Sequence, residues 1–136
     1  MMKVLGLDVG TKTIGLATGL LERRIAQPLF TLARKSVQKD TDALVELCKK
    51  HQITQLVVGL PLELSGEEGR SARLARQIGD MLAEKTGLNL VYHDERFTTV
   101  EAETRLQDLG KNAKERKEMI DQVAAMVILE DWWKGL

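Results

Sequence analysis

The sequence lacks most of the groups by which an enzyme is recognised at sight. Its one cysteine, Cys48, cannot close a disulfide within the chain and belongs to no metal-binding Cys pattern, which suits a reducing compartment. There are two histidines, and no Gly-x-Ser-x-Gly, Walker loop or His-Glu-x-x-His occurs, so the common serine, P-loop and zinc chemistries have no foothold. Charge of one sign is also missing. Lys plus Arg and Asp plus Glu number 20 each, so no overall positive field advertises a nucleic-acid partner, and any such partner must be held by local clusters. No stretch approaches the length of a membrane span, and the first apolar run is broken by Asp8 before it can serve as a signal-peptide core. A cytoplasmic protein with no membrane partner is expected. Internal repeats, low-complexity tracts and linkers are absent as well, so residues 1–136 read as one domain.

What is present belongs to an ordinary globular chain, 43% hydrophobic and 29% charged. Two apolar runs, Val4 to Val9 and Ile14 to Ala17, flank a Gly-Thr-Lys-Thr turn and read as a hairpin. A third strand is expected over Ile25 to Leu32, at a sheet edge because Pro28 removes a ladder donor. Asp40 or Thr41 caps a first helix carrying Leu44, Leu47 and Cys48, and Gln55 to Gly59 is apolar enough for a parallel strand covered on both faces. Leu62 to Gly69 reads as a loop, although Ser65 and Glu68 imitate a capping box. A second helix spans about Ser71 to Lys85 and stops at Gly87, and Leu88 to His93 is a further strand. Thr98 with Glu101 forms a capping box for a third helix with Ala102, Leu106 and Leu109 on one face. Asn112 with Glu115 caps a last helix that runs to about Trp133, with Trp132 and Trp133 closing the core. Three strands in a meander followed by strand–helix–strand crossovers predict an α/β mixed sheet with helices on both faces.

Three acids sit where charge is unexpected. Asp8 interrupts a strand, Glu95 lies between a strand and a helix, and Asp121 shares a helical stripe with Ala125, Ile128 and Trp132. Each is expensive alone. Together they suit a hard divalent cation, and phosphoryl transfer on two ions about 4 Å apart needs no histidine or serine nucleophile. The residues by themselves leave a second account of Asp8 open, an acid accepting backbone N–H bonds at a turn.

The motifs Leu7-Asp8-Val9-Gly10-Thr11-Lys12-Thr13-Ile14-Gly15, Val57-Val58-Gly59-Leu60-Pro61-Leu62, His93-Asp94-Glu95-Arg96-Phe97-Thr98-Thr99, and Ile120-Asp121 followed by Ala124-Ala125-Met126-Val127-Ile128-Leu129 resemble, in order and over essentially the whole chain, the YqgF (RuvX) family. Its members are described as Holliday junction resolvases and as pre-16S ribosomal RNA nucleases. The resemblance implies a ribonuclease H-like fold with a five-stranded mixed sheet, a three-strand antiparallel meander plus two parallel strands. It also implies Asp8, Glu95 and Asp121 as catalytic acids and metal ligands for one or two Mg²⁺ or Mn²⁺ ions. The related RuvC-type resolvases commonly carry a further acid three residues along the last helix. That place is Ala124 here, which leaves Asp94 or water to complete a two-ion site.

Thr11, Lys12, Arg70, Arg96, Thr98 and Thr99 are candidate substrate contacts. Lys12 reads equally as a solvated turn, and Arg70, Arg73 and Arg76 as a solvated helix face or a track for a nucleic-acid backbone. The expected function is a metal-dependent endonuclease, monomeric or homodimeric, acting on structured RNA or branched DNA. Pre-16S rRNA 5′-end processing in ribosome biogenesis and Holliday junction resolution are the two candidate reactions. The alternative is a nucleic-acid-binding accessory factor in rRNA processing or transcription with weak catalysis. Asp8-Val9-Gly10-Thr11 also resembles the first phosphate loop of actin-type ATPases, but 136 residues hold no second lobe.

Overall fold

The structure is a computed structural model and describes residues 2–96 and 98–136; Met1 and Phe97 lie outside the described residues. Strands β1 (Lys3–Val9), β2 (Thr13–Leu20) and β3 (Ile25–Ala33) are followed by helix α1 (Val37–Lys50), β4 (Gln55–Leu60), α2 (Arg70–Thr86), β5 (Asn89–Asp94), α3 (Thr98–Asp108) and α4 (Ala113–Lys134). The five strands form one mixed sheet in the order β3-β2-β1-β4-β5. β1–β2 and β2–β3 are antiparallel, and β1–β4 and β4–β5 are parallel. Pro28 does lie on the edge strand, beside a register shift at Leu16/Ala17.

Period-two alternation divides the sheet between two layers. Leu5, Leu7, Val9, Ile14, Leu16, Leu56 and Val58 face α1 and α2 in the larger core. On the other face Val4, Ala17 and Val57 meet Ala125, Ile128, Leu129 and Trp133 of α4. α3 does not reach the sheet core. It packs against the outside of α4 through Ala102, Leu106, Val123, Ala124 and Val127, and Arg105 pins it further by pairing with Glu101 at 3.0 Å and with Glu130.

Several local expectations are corrected. α1 begins at Val37, capped by the Ser36 hydroxyl, which accepts from the Lys39 N–H. Asp40 is therefore inside the helix, where it receives Arg34 Nε and the Lys35 N–H, both at 3.0 Å. α2 starts one residue early, at Arg70, with Gly69 as its cap, and stops at left-handed Gly87 as expected. Thr98 is the first helical residue of α3, not its cap, and gives its backbone N–H to the Glu95 carbonyl at 3.0 Å. Leu109 lies beyond α3 and is 71% exposed, so it is no part of the face that buries Ala102 and Leu106. The capping box of Asn112 and Glu115 on α4 is present in both directions.

Candidate metal and nucleic-acid site

The α4 face of the sheet is paved with small residues. Gly6 on β1, Gly15, Ala17 and Gly19 on β2, and Gly59 on β4 all lie under α4, which lets the helix backbone settle directly on the strands. Two of these glycines build the site. Gly15 is the cross-strand partner of Asp8. A methyl group there would overlap the Asp121 carbonyl and stand 2.8 Å from Asp121 Cβ. On the other side, Gly59 lies one step beyond the Leu7/Val58 pair of β1 and β4. A methyl group on Gly59 would stand 2.7 Å from Glu95 Cδ and 2.5 Å from Ile128 Cδ1. Asp8 is thus flanked by two strand positions without side chains, one filled from α4 by Asp121 and the other by Glu95.

The carboxylates feel one another. Burial raises Asp8 to about 6, with a hydrogen bond from Glu95 acting the other way and the Asp121 charge adding to the rise. Glu95 is pushed up to about 10 by burial first, then by the charge of Asp8, its hydrogen bond to Asp8 and the charge of Asp94. In this arrangement a protonated Glu95 donates to ionised Asp8, because two buried carboxylates in contact cannot both ionise without a compensating cation. Asp121 is held separately: the Thr13 hydroxyl donates to Asp121 Oδ2 at 2.6 Å. Among the described residues no three His, Cys, Asp or Glu side chains are gathered tightly enough to form a closed metal cage. Asp8 and Glu95 meet as a pair, and Asp121 stands beside them.

The other expected residues divide. Asp94 does not stand ready as a further acid, because Arg96 Nε and Nη2 hold its Oδ2 at 2.9 and 2.8 Å, and this pairing lowers its pKa. Arg96 is thereby occupied in the same bond. Ala124, where another acid would have stood, packs against α3. Thr98 is buried, whereas Thr99 is exposed beside it. Thr11 and Lys12 are exposed at the β1–β2 turn. Arg76 is engaged within the protein. It forms a two-pronged pair with Glu68 at 2.6 and 2.8 Å and lies 4.6 Å over the Tyr92 ring. Arg70, Arg73 and Thr11 instead share a cavity of about 710 Å³ with Arg34 and Lys35. Farther along the chain, Arg116 pairs with Glu103 of α3 and Lys111 with Glu115 of α4.

Three residues escaped the sequence reading. Thr13 reads as a turn residue, yet β2 begins with it, and counting by twos from Gly15 sets it on the α4 face. His93 follows the same parity on β5 and joins Asp131 of α4 at 2.6 Å, fastening the strand that delivers Glu95. Arg34 leaves no such trace; its partners Asp40 and the Gly10 carbonyl come together only in the fold.

A mixed sheet of order β3-β2-β1-β4-β5 with acids at the strand ends and on the last helix defines the ribonuclease H-like class, in its RuvC-like form. The structure of Thermus thermophilus RuvC superposes with a TM-score of 0.62 at 16% identity, over 93% of this chain and 92% of that one. T. thermophilus RuvC in complex with a Holliday junction substrate gives 0.58 at 16% identity, over 94% and 92%. Such identities speak for the fold alone. The family is given by sequence: the model of RuvX, described as Holliday junction resolvase, matches residues 2–135. A Myxococcus xanthus protein is 40% identical over 96% of this chain and 87% of its own, and one from Lactococcus lactis subsp. cremoris 42% identical over 96% and 92%. Both carry the name "Putative pre-16S rRNA nuclease". The chain belongs to the RuvX family.

Proposed function

We propose that this chain, as one nuclease domain over residues 1–136, is a metal-dependent endonuclease that hydrolyses phosphodiester bonds in structured nucleic acid. Pre-16S ribosomal RNA near its 5′ end is the first candidate substrate, as the names of its relatives suggest, and a branched DNA junction the second. The observation that carries this reading is the half-buried, hydrogen-bonded Asp8–Glu95 pair with Asp121 beside it at one edge of the sheet. A pair forced to keep a proton is short of positive charge, and its donors are hard oxygens, so Mg²⁺ or Mn²⁺ suits it. Asp8, Glu95 and Asp121 would hold the ion. Once bound, it would polarise a phosphoryl oxygen and make water a better nucleophile.

The chain's own residues do the rest. Thr13 fixes the orientation of the Asp121 carboxylate, and Gly15 lets α4 bring that carboxylate down to Asp8. Glu95 has to release its proton for the ion to bind, so loading is favoured by rising pH. Lys12, exposed in the β1–β2 turn, and Thr99, exposed in the first turn of α3, can meet phosphate oxygens as the substrate strand arrives. None of the described helices is long and apolar enough to cross a membrane; cytoplasmic action belongs to this proposal through the rRNA processing for which the relatives are named.

The accessory-factor reading keeps one observation on its side. The three acids form no closed ligand set among the described residues, and Ala124 adds none. Incubating wild type, Asp8→Asn, Glu95→Gln and Asp121→Asn with labelled precursor rRNA and with a four-way DNA junction, in Mg²⁺, Mn²⁺ or chelator, separates the two. Metal-dependent cleavage lost in all three variants supports the nuclease; binding without turnover supports the accessory factor.

A further inference from the structure

A cavity of about 710 Å³ beside the β1–β2 turn gathers four basic side chains. It is bounded by Thr11 in that turn, Arg34 and Lys35 after β3, and Arg70, Arg73 and Gln77 on the first two turns of α2. None of its lining residues is acidic and none is aromatic. Arg34 forms its built wall: its side chain is only 10% exposed, tied to Asp40 (2% exposed) at 3.0 Å and to the Gly10 carbonyl at 3.1 Å. That pairing leaves Arg34 charge-compensated. Lys35, Arg70 and Arg73 are exposed and supply the net positive charge. The first turn of α2 carries no carboxylate to offset them.

We propose that this cavity seats the sugar–phosphate backbone of the substrate strand a short way from the bond that is cut; the inference rests on the nuclease reading of the chain. Donors without aromatic platforms recognise phosphate and not bases, so the contact is independent of sequence. Position argues for the same strand. Thr11 lines the cavity only three residues after Asp8, and the Gly10 carbonyl that precedes it is gripped by Arg34. A strand leaving the acids over the β1–β2 turn passes Lys12 and Thr11 and enters the cavity. The net charge of zero makes such a local cluster necessary for any polyanion to be held.

The test uses the full chain, the double variant Lys35→Ala/Arg73→Ala, and Gln77→Glu, which adds a carboxylate to the cavity without removing any wall. Binding of a labelled single-stranded RNA and of a four-way DNA junction is followed by fluorescence anisotropy in EDTA across a series of KCl concentrations. Losing two phosphate contacts should lower the slope of log affinity against log salt by roughly 1.4–1.8, and Gln77→Glu should weaken binding equally for all sequences. Wild-type affinity and slope in both variants would overturn the inference. So would ATP binding that the double variant abolishes while oligonucleotide affinity stays unchanged, since the cavity would then serve a small anion. Two further outcomes keep the claims apart. If wild type binds, the variants lose the slope, and no cleavage occurs with Mg²⁺ or Mn²⁺, the cavity stands and the nuclease reading falls. If wild type hydrolyses bis(p-nitrophenyl) phosphate with Mn²⁺ but shows no salt-dependent binding, the cavity alone falls.

Discussion

Gly15 of β2 and the backbone of Asp121 in α4 are in direct contact, with no room for a methyl group between them. Because Gly15 is also the cross-strand partner of Asp8, this one contact decides that a carboxylate on a helix more than a hundred residues later stands over a carboxylate on the first strand. The glycine is there for its missing side chain, not for an unusual backbone angle, since positive φ occurs at Gly66, Gly87 and Gly110 and not at Gly15.

Gly15→Ala should therefore force α4 away from the sheet. Overpacking of this kind costs about 1–3 kcal/mol, read as a lower urea midpoint, and the variant should bind Mn²⁺ more weakly than wild type. Gly59→Ala meets side chains of Glu95 and Ile128, not backbone. It should lose less stability while displacing Glu95 and suppressing cleavage. Unchanged cleavage in Gly59→Ala would contradict the role given to that gap.

The acid pair makes the metal-free protein sensitive to pH in a defined direction. Asp8 is raised from 3.8 to about 6 and Glu95 from 4.5 to about 10. The folded state then binds more protons than the unfolded chain, so stability is greatest below pH 4 on account of these groups and declines as pH rises toward 10. Glu95→Gln should remove much of that decline and raise the melting temperature at pH 8 in EDTA while abolishing cleavage. Mn²⁺ should stabilise wild type more than the variant. A variant less stable than wild type at pH 8 would argue against a strained pair.

Thr13 acts only through Asp121. Thr13→Val keeps the shape and removes the hydroxyl, so the fold should persist while metal affinity falls by about 10–100-fold, as for groups that orient a ligand. Thr13→Ser should restore most of it. Mn²⁺ titration followed by electron paramagnetic resonance measures both.

Asp40→Ala leaves the nearly buried Arg34 without its partner. Breaking a buried pair from one side costs about 3–5 kcal/mol, and the exposed pair of Lys49 and Glu46 provides the contrast. Lys49→Ala should shift the urea midpoint very little, by less than about 1 kcal/mol.

Much of the fold was legible because its signals are local. Short apolar runs, the edge proline Pro28, the stop at Gly87 and the capping box at Asn112 each act within a few residues, and the strands and helices they mark are all present, with shifts confined to their ends. Where two local signals competed, the reading slipped. Asp40 looked like a cap because it is an acid ahead of an apolar stripe, but a tertiary pair with Arg34 accounts for it and Ser36 caps the helix. Leu109 looked helical by spacing, but the chain turns at Gly110 before its side chain can be covered.

The sequence by itself determined the mixed sheet, its helices and the family, and it marked Asp8, Glu95 and Asp121 as acids out of place. Only the tertiary structure decided how they relate. Asp8 and Glu95 are hydrogen-bonded to each other, Asp121 is steered by Thr13, Asp94 is taken by Arg96, and Arg70 joins Arg34 and Lys35 around one cavity. Strand periodicity tells which face a side chain takes, but not which residue of a distant helix will lie against it. That depends on how closely the layers approach, and here the approach is set by the missing side chains at Gly15 and Gly59.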